Sequence, residues 1–307
     1  MDHLTLSTGA RIPMMGFGVF RMRDLSECEQ TVYEAIRIGY RLIDTATVYK
    51  NEEAVGAAVR RAIADGICTR EELFVTSKLW VTDMRDYDTA MAGINASLER
   101  LSIGYLDLYL EHQALNDYFA AWRAMQDAHR TGKLRAIGVS NFYPNILTNF
   151  CEIVEVTPAV NQIELHPYCT QEQGLMAQES AFDVMRRYGV VPEAWAPLGG
   201  GRYNPSEEED FLAIAQAHRK TVSQVVLRWN IQRGVVVIPK SSHAERIREN
   251  FDVWDFELTQ DEMATISSHD MGYSGSRAKH FEPDFVRMCL SKDSRDHIAE
   301  HGAVLTK

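Results

Sequence analysis

The runs LFVTSK at residues 73–78 and LDLYLE at residues 106–111 enclose the strand, helix and strand unit that decides the fold. Both runs are short and apolar. Between them, Ala90, Ile94 and Leu101 recur at the spacing of one helix face. A helix that joins two neighbouring strands makes them parallel, because a parallel pair needs a long crossover connection. The segment therefore predicts a β-strand, an amphipathic helix and a second strand parallel to the first.

The same unit recurs along the whole chain. Six further apolar runs have strand character: MMGFG at 14–18, RLIDTA at 41–46, LRAIGVS at 134–140, VNQIEL at 160–165, VVPEAWA at 190–196 and VVVIPK at 235–240. Neighbouring runs begin about 25 to 45 residues apart, which leaves room for a helix after each strand. Eight such units predict a (β/α)8 barrel, an α/β fold for which about 250 residues is typical.

A doubly wound parallel sheet is the competing architecture. That fold usually carries G-x-G-x-x-G after its first strand, and only the fragment Gly16-Phe17-Gly18 stands there. We interpret these two glycines as tight-packing positions. The count of eight units then favours the barrel.

Additional elements are predicted outside the eight units. The segment LTLSTGARIP at residues 4–13 has two short alternating runs around a Thr-Gly pair, which predicts an N-terminal hairpin that closes the barrel bottom. Two helical patterns, at residues 207–218 and 222–233, lie between the seventh and eighth strands, so one of these helices is additional, since a plain barrel needs a single helix there. The pattern at residues 258–268 predicts another helix after the eighth unit.

Composition limits the class of protein and its partners. The chain is 45% hydrophobic and 24% charged, as in ordinary globular proteins, and a formal net charge of −11 disfavours nucleic acid and anionic membranes as partners. No apolar run approaches the roughly 18 to 20 residues of a membrane span, so we expect a cytoplasmic protein whose five scattered cysteines are free thiols.

We find no linker and expect one domain over residues 1–307, with residues 269–307 as a Gly, Ser and charge-rich tail near the active-site mouth.

Polar residues follow four of the predicted strands. Asp44 ends RLID, Tyr49 lies five residues further on, Lys78 ends LFVTSK, and His112 follows LDLYLE. The carboxyl ends of parallel barrel strands face one mouth, so these side chains are expected to converge there. A neighbouring ammonium can make a phenol, which normally titrates near ~10, a usable acid, and a carboxylate can hold that ammonium in place. The set predicts a proton-transfer site.

The chain resembles the aldo-keto reductase family of NADP-dependent carbonyl reductases, which are built on a (β/α)8 barrel. The resemblance covers roughly residues 3–270, and its finer details are nearest to small bacterial 2,5-diketo-gluconate reductases and methylglyoxal reductases. The segments that carry it are LIDTATVYKNEEAVG at 42–56, TSKLW at 76–80, LDLYLEHQ at 106–113, GKLRAIGVSNF at 132–142, NQIELHPY at 161–168, WAPLG at 195–199 and IPKSSHAERIRENF at 238–251.

This resemblance implies roles for the four strand-end residues. Tyr49 becomes the general acid that protonates the carbonyl oxygen as hydride arrives at the carbon. Lys78 favours the phenolate, Asp44 fixes Lys78, and His112 orients the carbonyl and shares the proton at one pH extreme. The implied activity is reduction of an aldehyde or ketone to the alcohol, with a small carbonyl compound as substrate, no metal in the site and a monomeric enzyme.

The resemblance also implies an NADP(H) site. In the family, residues that match Ser140, Asn141 and Gln162 hydrogen-bond the nicotinamide carboxamide, and an aromatic residue that matches Trp195 stacks on the ring, with Leu198 close by. In the family, a second group of residues binds the adenosine and its 2′-phosphate. The residues of this chain that match it are Lys240, Ser241, Arg246, Glu249 and Asn250. A doubly negative phosphate needs cations such as Lys240 and Arg246, so NADP(H) is expected in preference to NAD(H).

Several positions depart from the family or concern the substrate. Ala196 stands where Ser is common in the family. Gln113 stands where relatives often carry an aromatic residue, so the pocket wall at Gln113 is expected to be smaller and more polar.

Phe20 and Trp80 are expected to form the apolar wall around the carbonyl. Two cations in the tail, Arg277 and Lys279, are candidates to meet an acidic substrate if the tail folds over the mouth.

Two other functions remain open on the sequence alone. Some relatives of this fold bind cofactor as regulatory subunits, and the complete set of four polar residues argues against such a role here. A Schiff-base lyase or aldolase that uses Lys78 or Lys240 is the second alternative, since a barrel supports this chemistry.

Overall fold

The computed structural model describes residues 2–172, 179–276, 280 and 282–301, and the predicted contacts of Arg277 and Lys279 fall outside these ranges. The strands are β1 His3–Thr5, β2 Arg11–Pro13, β3 Gly16–Gly18, β4 Leu42–Asp44, β5 Phe74–Leu79, β6 Leu108–Glu111, β7 Ile137–Ser140, β8 Val160–Glu164, β9 Val191–Trp195 and β10 Val236–Val237. The helices are α1 Leu25–Ile38, α2 Glu52–Ala64, α3 Tyr87–Leu101, α4 Tyr118–Arg130, α5 Pro144–Ile153, α6 Ala181–Tyr188, α7 Glu209–His218, α8 Val222–Gln232, α9 Ala244–Phe251, α10 Gln260–Ser267, α11 Pro283–Leu290 and α12 Ser294–His301.

The eight strands β3 to β10 form a parallel sheet in sequence order. A parallel bridge between Met15 and Val237 joins the last strand back to the first, and the Gly18 amide donates to the Pro239 carbonyl at 3.1 Å. A helix follows each strand, with the second helix α8 between β9 and β10. The predicted (β/α)8 barrel, its hairpin and its extra helices are therefore confirmed.

Close strand packing explains the two glycines of β3. A Cβ atom at Gly16 would lie 2.5 Å from Leu42 Cγ, and one at Gly18 would lie 3.0 Å from the Ile238 carbonyl oxygen. Both positions lie where β3 meets its two neighbours in the closed barrel. The interpretation of this fragment as tight packing, rather than as part of a dinucleotide fingerprint, agrees with these distances.

Helix caps set where several helices begin. The carboxylates of Asp24, Asp86 and Asp117 accept hydrogen bonds from backbone amides in the first turns of α1, α3 and α4. Thr221 and Gln224 form a capping box at the start of α8. Each cap satisfies amide groups that have no partner inside the helix, which fixes the loop just before it.

The hairpin β1–β2 closes the end of the barrel that lies opposite the carboxyl ends of the strands. Leu6 and Ile12 are buried, and they pack with strand residues such as Leu42, Phe74 and Val236. This end is filled with apolar side chains. The open end of the barrel is therefore the one at which β4, β5 and β6 finish.

The tail contains two helices that the sequence interpretation missed. Phe285 and Cys289 of α11 are buried, and Trp80 Nε1 donates to Ser294 Oγ of α12 at 3.0 Å. Ion pairs join Asp83 to Arg295 and Lys50 to Asp296. These contacts hold α12 against the loops that follow β4 and β5. None of the helices in the described ranges is both long and apolar enough to cross a membrane.

Candidate active site

A cavity of about 570 Å³ opens at the carboxyl ends of the barrel strands. Its volume falls in the range of sites for small molecules. The predicted residues on its wall are Phe20, Asp44, Tyr49, Trp80, His112, Ser140, Asn141, Gln162, Trp195, Leu198 and Lys240. Lys78 is completely buried and lies behind this wall, where it contacts Asp44 and Tyr49.

The core of the site is a buried ion pair beside a phenol. Lys78 Nζ donates to Asp44 Oδ1 at 2.5 Å and to the Thr45 carbonyl oxygen at 2.9 Å. The Tyr49 hydroxyl lies 3.5 Å from the same Nζ atom. Register explains this geometry: β4 and β5 are neighbours, and the short 3-10 helix Thr47–Tyr49 carries the phenol back over their ends. The structure thus brings together three of the four strand-end residues.

The charges of this cluster act on the pKa of each member. Burial lowers the pKa of Lys78, but the negative charge of Asp44, followed by that of Tyr49, outweighs it, so the net shift is upward and the side chain is an ammonium. Burial raises the pKa of Tyr49, while Lys78 lowers it. The net direction is upward, opposite to the acidifying effect expected from Lys78, because burial of the phenol outweighs the charge of the ammonium.

His112 completes the set as a neutral imidazole. Burial and the positive charge of Lys78 hold its pKa well below the ordinary histidine value. The ring packs edge-on against Trp80 at 5.1 Å and Tyr49 at 5.7 Å between centroids. Its Nδ1 has no hydrogen-bond partner within the described part of the chain. A neutral imidazole in this position can donate or accept one hydrogen bond with a ligand in the cavity.

Four of the predicted cofactor residues form one hydrogen-bonded group on the part of the wall made by β7, β8 and β9. Ser140 Oγ donates to the Gln162 carbonyl oxygen at 2.8 Å and accepts from Asn141 Nδ2 at 3.0 Å. Trp195 Nε1 donates to Asn141 Oδ1 at 2.9 Å. Asn141 has a φ of 60°, a conformation that asparagine adopts more readily than most residues. These bonds fix the indole and both polar side chains before any ligand enters.

Gln162 connects this wall to the ion pair. Its Nε2 donates to Asp44 Oδ2 at 2.9 Å and to Glu193 Oε2 at 3.2 Å. Glu193 lies next to Gln162 in the register of β8 and β9 and is fully buried. The sequence interpretation did not include Glu193. The one signal in the sequence was an acidic residue in the middle of the apolar run VVPEAWA, which does not tell which side of the strand the residue faces.

The residues predicted to grip adenosine lie on and before α9, away from most of the cavity. Lys240 reaches the cavity wall, whereas Arg246 is exposed and has no partner among the described residues. Ser241 Oγ accepts from the His243 amide at 3.1 Å. Glu249 accepts a hydrogen bond from Thr221 Oγ1 at 2.8 Å, and Asn250 is buried. Ser241, Arg246, Glu249 and Asn250 do not line the cavity itself.

Further residues line the cavity, and of these only Gln113 was expected in its wall. Arg21 follows Phe20, Gln113 follows His112, and His280 and Ile298 come from the tail. His280 Nδ1 lies 2.8 Å from the Tyr143 hydroxyl, and burial lowers the pKa of this histidine to about 4. Gln113 was recognised as a polar departure, but the tail residues carried no local signal because their position depends on long-range packing.

Comparisons with known proteins identify the family of the chain. The model of the aldo/keto reductase family matches residues 14–271. A glyoxal reductase of Bacillus subtilis is 44% identical over 268 residues, which cover 87% of this chain and 92% of the relative. A morphine 6-dehydrogenase of Pseudomonas putida is 41% identical over 283 residues, with 88% and 91% covered.

Solved structures give the same result. A Bombyx mori aldo-keto reductase in complex with NADP superposes with a TM-score of 0.83 at 37% identity, covering 90% of this chain and 94% of that chain. An aldo-keto reductase complexed with NADPH superposes with a TM-score of 0.84 at 31% identity, covering 92% and 91%. The protein therefore belongs to the aldo/keto reductase family.

Proposed function

We propose that this chain reduces a small aldehyde or ketone to the alcohol with NADPH as the hydride donor. The observation that carries the proposal is the contact of the Tyr49 hydroxyl with the buried Lys78–Asp44 pair, at 3.5 Å from Nζ, on the wall of a cavity. The similarity to a glyoxal reductase and to NADP-bound structures supports the reaction class and the cofactor.

Tyr49 is the proton donor in this proposal. As hydride reaches the carbonyl carbon, the O–H bond of Tyr49 breaks and its proton passes to the carbonyl oxygen, which yields the alcohol. Lys78 stabilises the phenolate that remains, because its fully buried ammonium lies beside the phenol. Asp44 holds this ammonium through a 2.5 Å contact. A proton donor of this kind contributes typically about 10² to 10⁴ in rate.

His112 positions the carbonyl in the same step. Its pKa lies well below the ordinary value, so the imidazole stays neutral at physiological pH and can donate one hydrogen bond. Trp80 packs against the ring and limits its rotation. Phe20, which packs against Tyr49 at 4.9 Å between centroids, provides the apolar wall beside the reacting group together with Trp80.

The part of the cavity wall that holds Gln162, Trp195 and Leu198 suits a nicotinamide. When bound, the cofactor supplies the hydride. Trp195 offers a flat apolar face that its bond to Asn141 holds in place. Gln162 lines the cavity, and both of its amide hydrogens already have partners. Its oxygen accepts no hydrogen bond from the described residues, so it can accept one from the carboxamide. Leu198 lines the same groove.

The segment around α9 suits the phosphate at the other end of the cofactor. Lys240 reaches the cavity, and the exposed guanidinium of Arg246 has no partner among the described residues that would compete for it. A guanidinium and an ammonium favour a 2′-phosphate over a free hydroxyl. Ser241, Glu249 and Asn250 complete this proposed adenosine site. We therefore propose a preference for NADPH over NADH.

The Schiff-base alternative loses support at Lys78. A nucleophilic amine must be neutral, and the carboxylate of Asp44 holds this group as an ammonium with a raised pKa. The regulatory alternative loses support, because the phenol of Tyr49 and the imidazole of His112 line the cavity and the ammonium of Lys78 lies directly behind them, 3.5 Å from the phenol oxygen.

The test is turnover of glyoxal and a panel of other small carbonyls by the wild type and by Tyr49→Phe, with NADPH and NADH in parallel. We expect NADPH to be preferred and the variant to lose about 10² to 10⁴ in kcat, with NADPH binding retained, since the substitution removes only the hydroxyl. Equal kcat values for both proteins would refute Tyr49 as the proton donor. Tight NADPH binding without turnover by the wild type would favour the regulatory alternative.

A further inference from the structure

Glu193 is a buried acid that the proposed reaction does not use. It lies on β9, its side chain is fully buried, and its Oε1 has no hydrogen-bond partner within the described residues. Its other oxygen accepts from Gln162 at 3.2 Å. A buried carboxyl group costs free energy unless its hydrogen bonds compensate, so its presence beside the active site calls for a local role.

The second partner of Gln162 identifies that role. The amide nitrogen of Gln162 carries two hydrogens, and it donates to Asp44 Oδ2 at 2.9 Å as well as to Glu193 Oε2. The two acceptors come from β4 and β9, and Gln162 comes from β8. Both hydrogens therefore bond to carboxyl groups within the barrel, and the amide oxygen remains to accept a hydrogen bond from a ligand in the cavity.

The charges in the barrel keep the amide in this orientation. Asp44 is paired with the ammonium of Lys78 and remains an acceptor, so the amide oxygen cannot take the place of the nitrogen beside it. Burial raises the pKa of Glu193 to about 8, with a further contribution from the charge of Asp44. The raised pKa favours the uncharged, protonated form of Glu193, which still offers a lone pair on Oε2 and avoids a second uncompensated negative charge in the barrel interior.

We propose that Glu193 is a positioning residue for Gln162: with Asp44 it takes both amide hydrogens, so that Gln162 presents an acceptor to the NH2 group of the nicotinamide carboxamide. This inference rests on the proposed use of a nicotinamide cofactor. It assigns Glu193 a part in holding the nicotinamide end, and none in holding the adenosine end.

Two substitutions separate this role from simple packing. Glu193→Gln keeps the length of the side chain and an acceptor oxygen, whereas Glu193→Leu fills a similar volume without an acceptor. Binding is measured by quenching of tryptophan fluorescence with two probes, NADPH and adenosine 2′,5′-bisphosphate. The second probe has the adenosine phosphates and lacks the nicotinamide. Thermal unfolding of each variant without ligand reports on the fold.

We expect Glu193→Leu to weaken NADPH binding about tenfold, the effect of losing one orienting hydrogen bond. Binding of the bisphosphate should stay unchanged, and Glu193→Gln should restore NADPH affinity to about the wild-type value. In a Gln162→Leu background, Glu193→Leu should cause no further loss of NADPH affinity, because its effect passes through the amide.

Three results would overturn the inference. These are unchanged NADPH affinity in Glu193→Leu, an equal loss for both probes, and a further loss of NADPH affinity in the Gln162→Leu background. A Glu193→Gln variant that behaves like Glu193→Leu would overturn it as well, because the carboxyl charge rather than an acceptor would then matter. A wild type that fails to bind NADPH at all would refute the proposed function itself, which distinguishes the two failures.

Discussion

Buried ionisable groups in this barrel differ in whether they have partners. Asp44 has an ammonium at 2.5 Å and an amide at 2.9 Å, so its charge is compensated. Glu111, one residue before His112, is fully buried, and neither of its carboxyl oxygens has a partner within the described residues. Burial and the charge of Asp117 raise the pKa of Glu111 well above the ordinary value of 4.5. Asp44 therefore belongs to a compensated site, and Glu111 is a weak point of the fold.

The first prediction concerns Glu111→Leu. A carboxyl group whose pKa is higher in the folded state binds more protons there, so stability falls as pH rises above the pKa of the unfolded chain, near 4.5. The substitution should raise the free energy of unfolding by about 1 to 3 kcal/mol at pH 8, and by less at pH 5. Urea unfolding at both pH values measures this. A loss of stability at pH 8 would show that Glu111 has a favourable partner.

Residue identity at strand ends made part of the site predictable. Asp44, Tyr49, Lys78 and His112 each follow an apolar run, and the geometry of a parallel barrel places such residues at one mouth. Their catalytic roles stay a prediction. Glu193 was not predicted, because a single acid in an apolar run does not tell which side of the strand it faces. The raised pKa of Tyr49 could not be predicted either, because it depends on the burial of the phenol, which cannot be read from the sequence.

At the scale of elements, the tail completes the cavity. The helix α12 places Ile298 on the cavity wall, and the bond from Trp80 to Ser294 fixes the helix to the loop after β5. The strands were predictable because each is a buried run of limited length, and α3 was predictable from its apolar spacing. The helix α12 was missed because its sequence SRDHIAEH has few apolar residues, and α11 was missed although PDFVRMCL is largely apolar, because the whole tail was interpreted as a Gly, Ser and charge-rich segment.

The second prediction tests this wall through Ile298→Ala. Removal of the buried side chain enlarges the cavity, so kcat/KM for glyoxal should fall about tenfold, while larger aldehydes lose less. NADPH affinity should stay the same, because the proposed cofactor residues lie on other elements. Steady-state kinetics with aldehydes of increasing length measure the effect, and Lys292→Ala, an exposed position in the same tail, is the matched control. An equal loss for all aldehydes would argue against a role of Ile298 in the substrate wall.

The two ends of the barrel have different roles: apolar packing at one end stabilises the fold, and the candidate site lies at the other end. The hairpin fills one end with Leu6 and Ile12, and the ionisable groups of the site lie at the other end. This division is general for such barrels, since the loops after the strands carry function and the opposite end carries packing. The parallel barrel was predictable from the alternation of eight strand and helix units.

The third prediction uses Ile12→Ala to test this separation. The residue is fully buried, so the substitution should cost about 2 to 5 kcal/mol of unfolding free energy, while kcat and KM stay unchanged. Urea unfolding and steady-state kinetics on the same preparation measure both quantities. Thr5→Ala, an exposed position of the same hairpin, is the control and should be nearly neutral. A kinetic change in Ile12→Ala without a change in stability would contradict the separation.

The central claim is that Tyr49 delivers a proton as hydride passes from NADPH to a carbonyl carbon. The most direct measurement is a single turnover of glyoxal with NADPH carrying deuterium at C4 of the nicotinamide, for wild type and Tyr49→Phe, with the product analysed by mass spectrometry. The account predicts one deuterium on carbon in the alcohol from the wild type, and a transfer rate about 10² to 10⁴ lower in the variant. An alcohol without deuterium, or equal transfer rates in the two proteins, would contradict it.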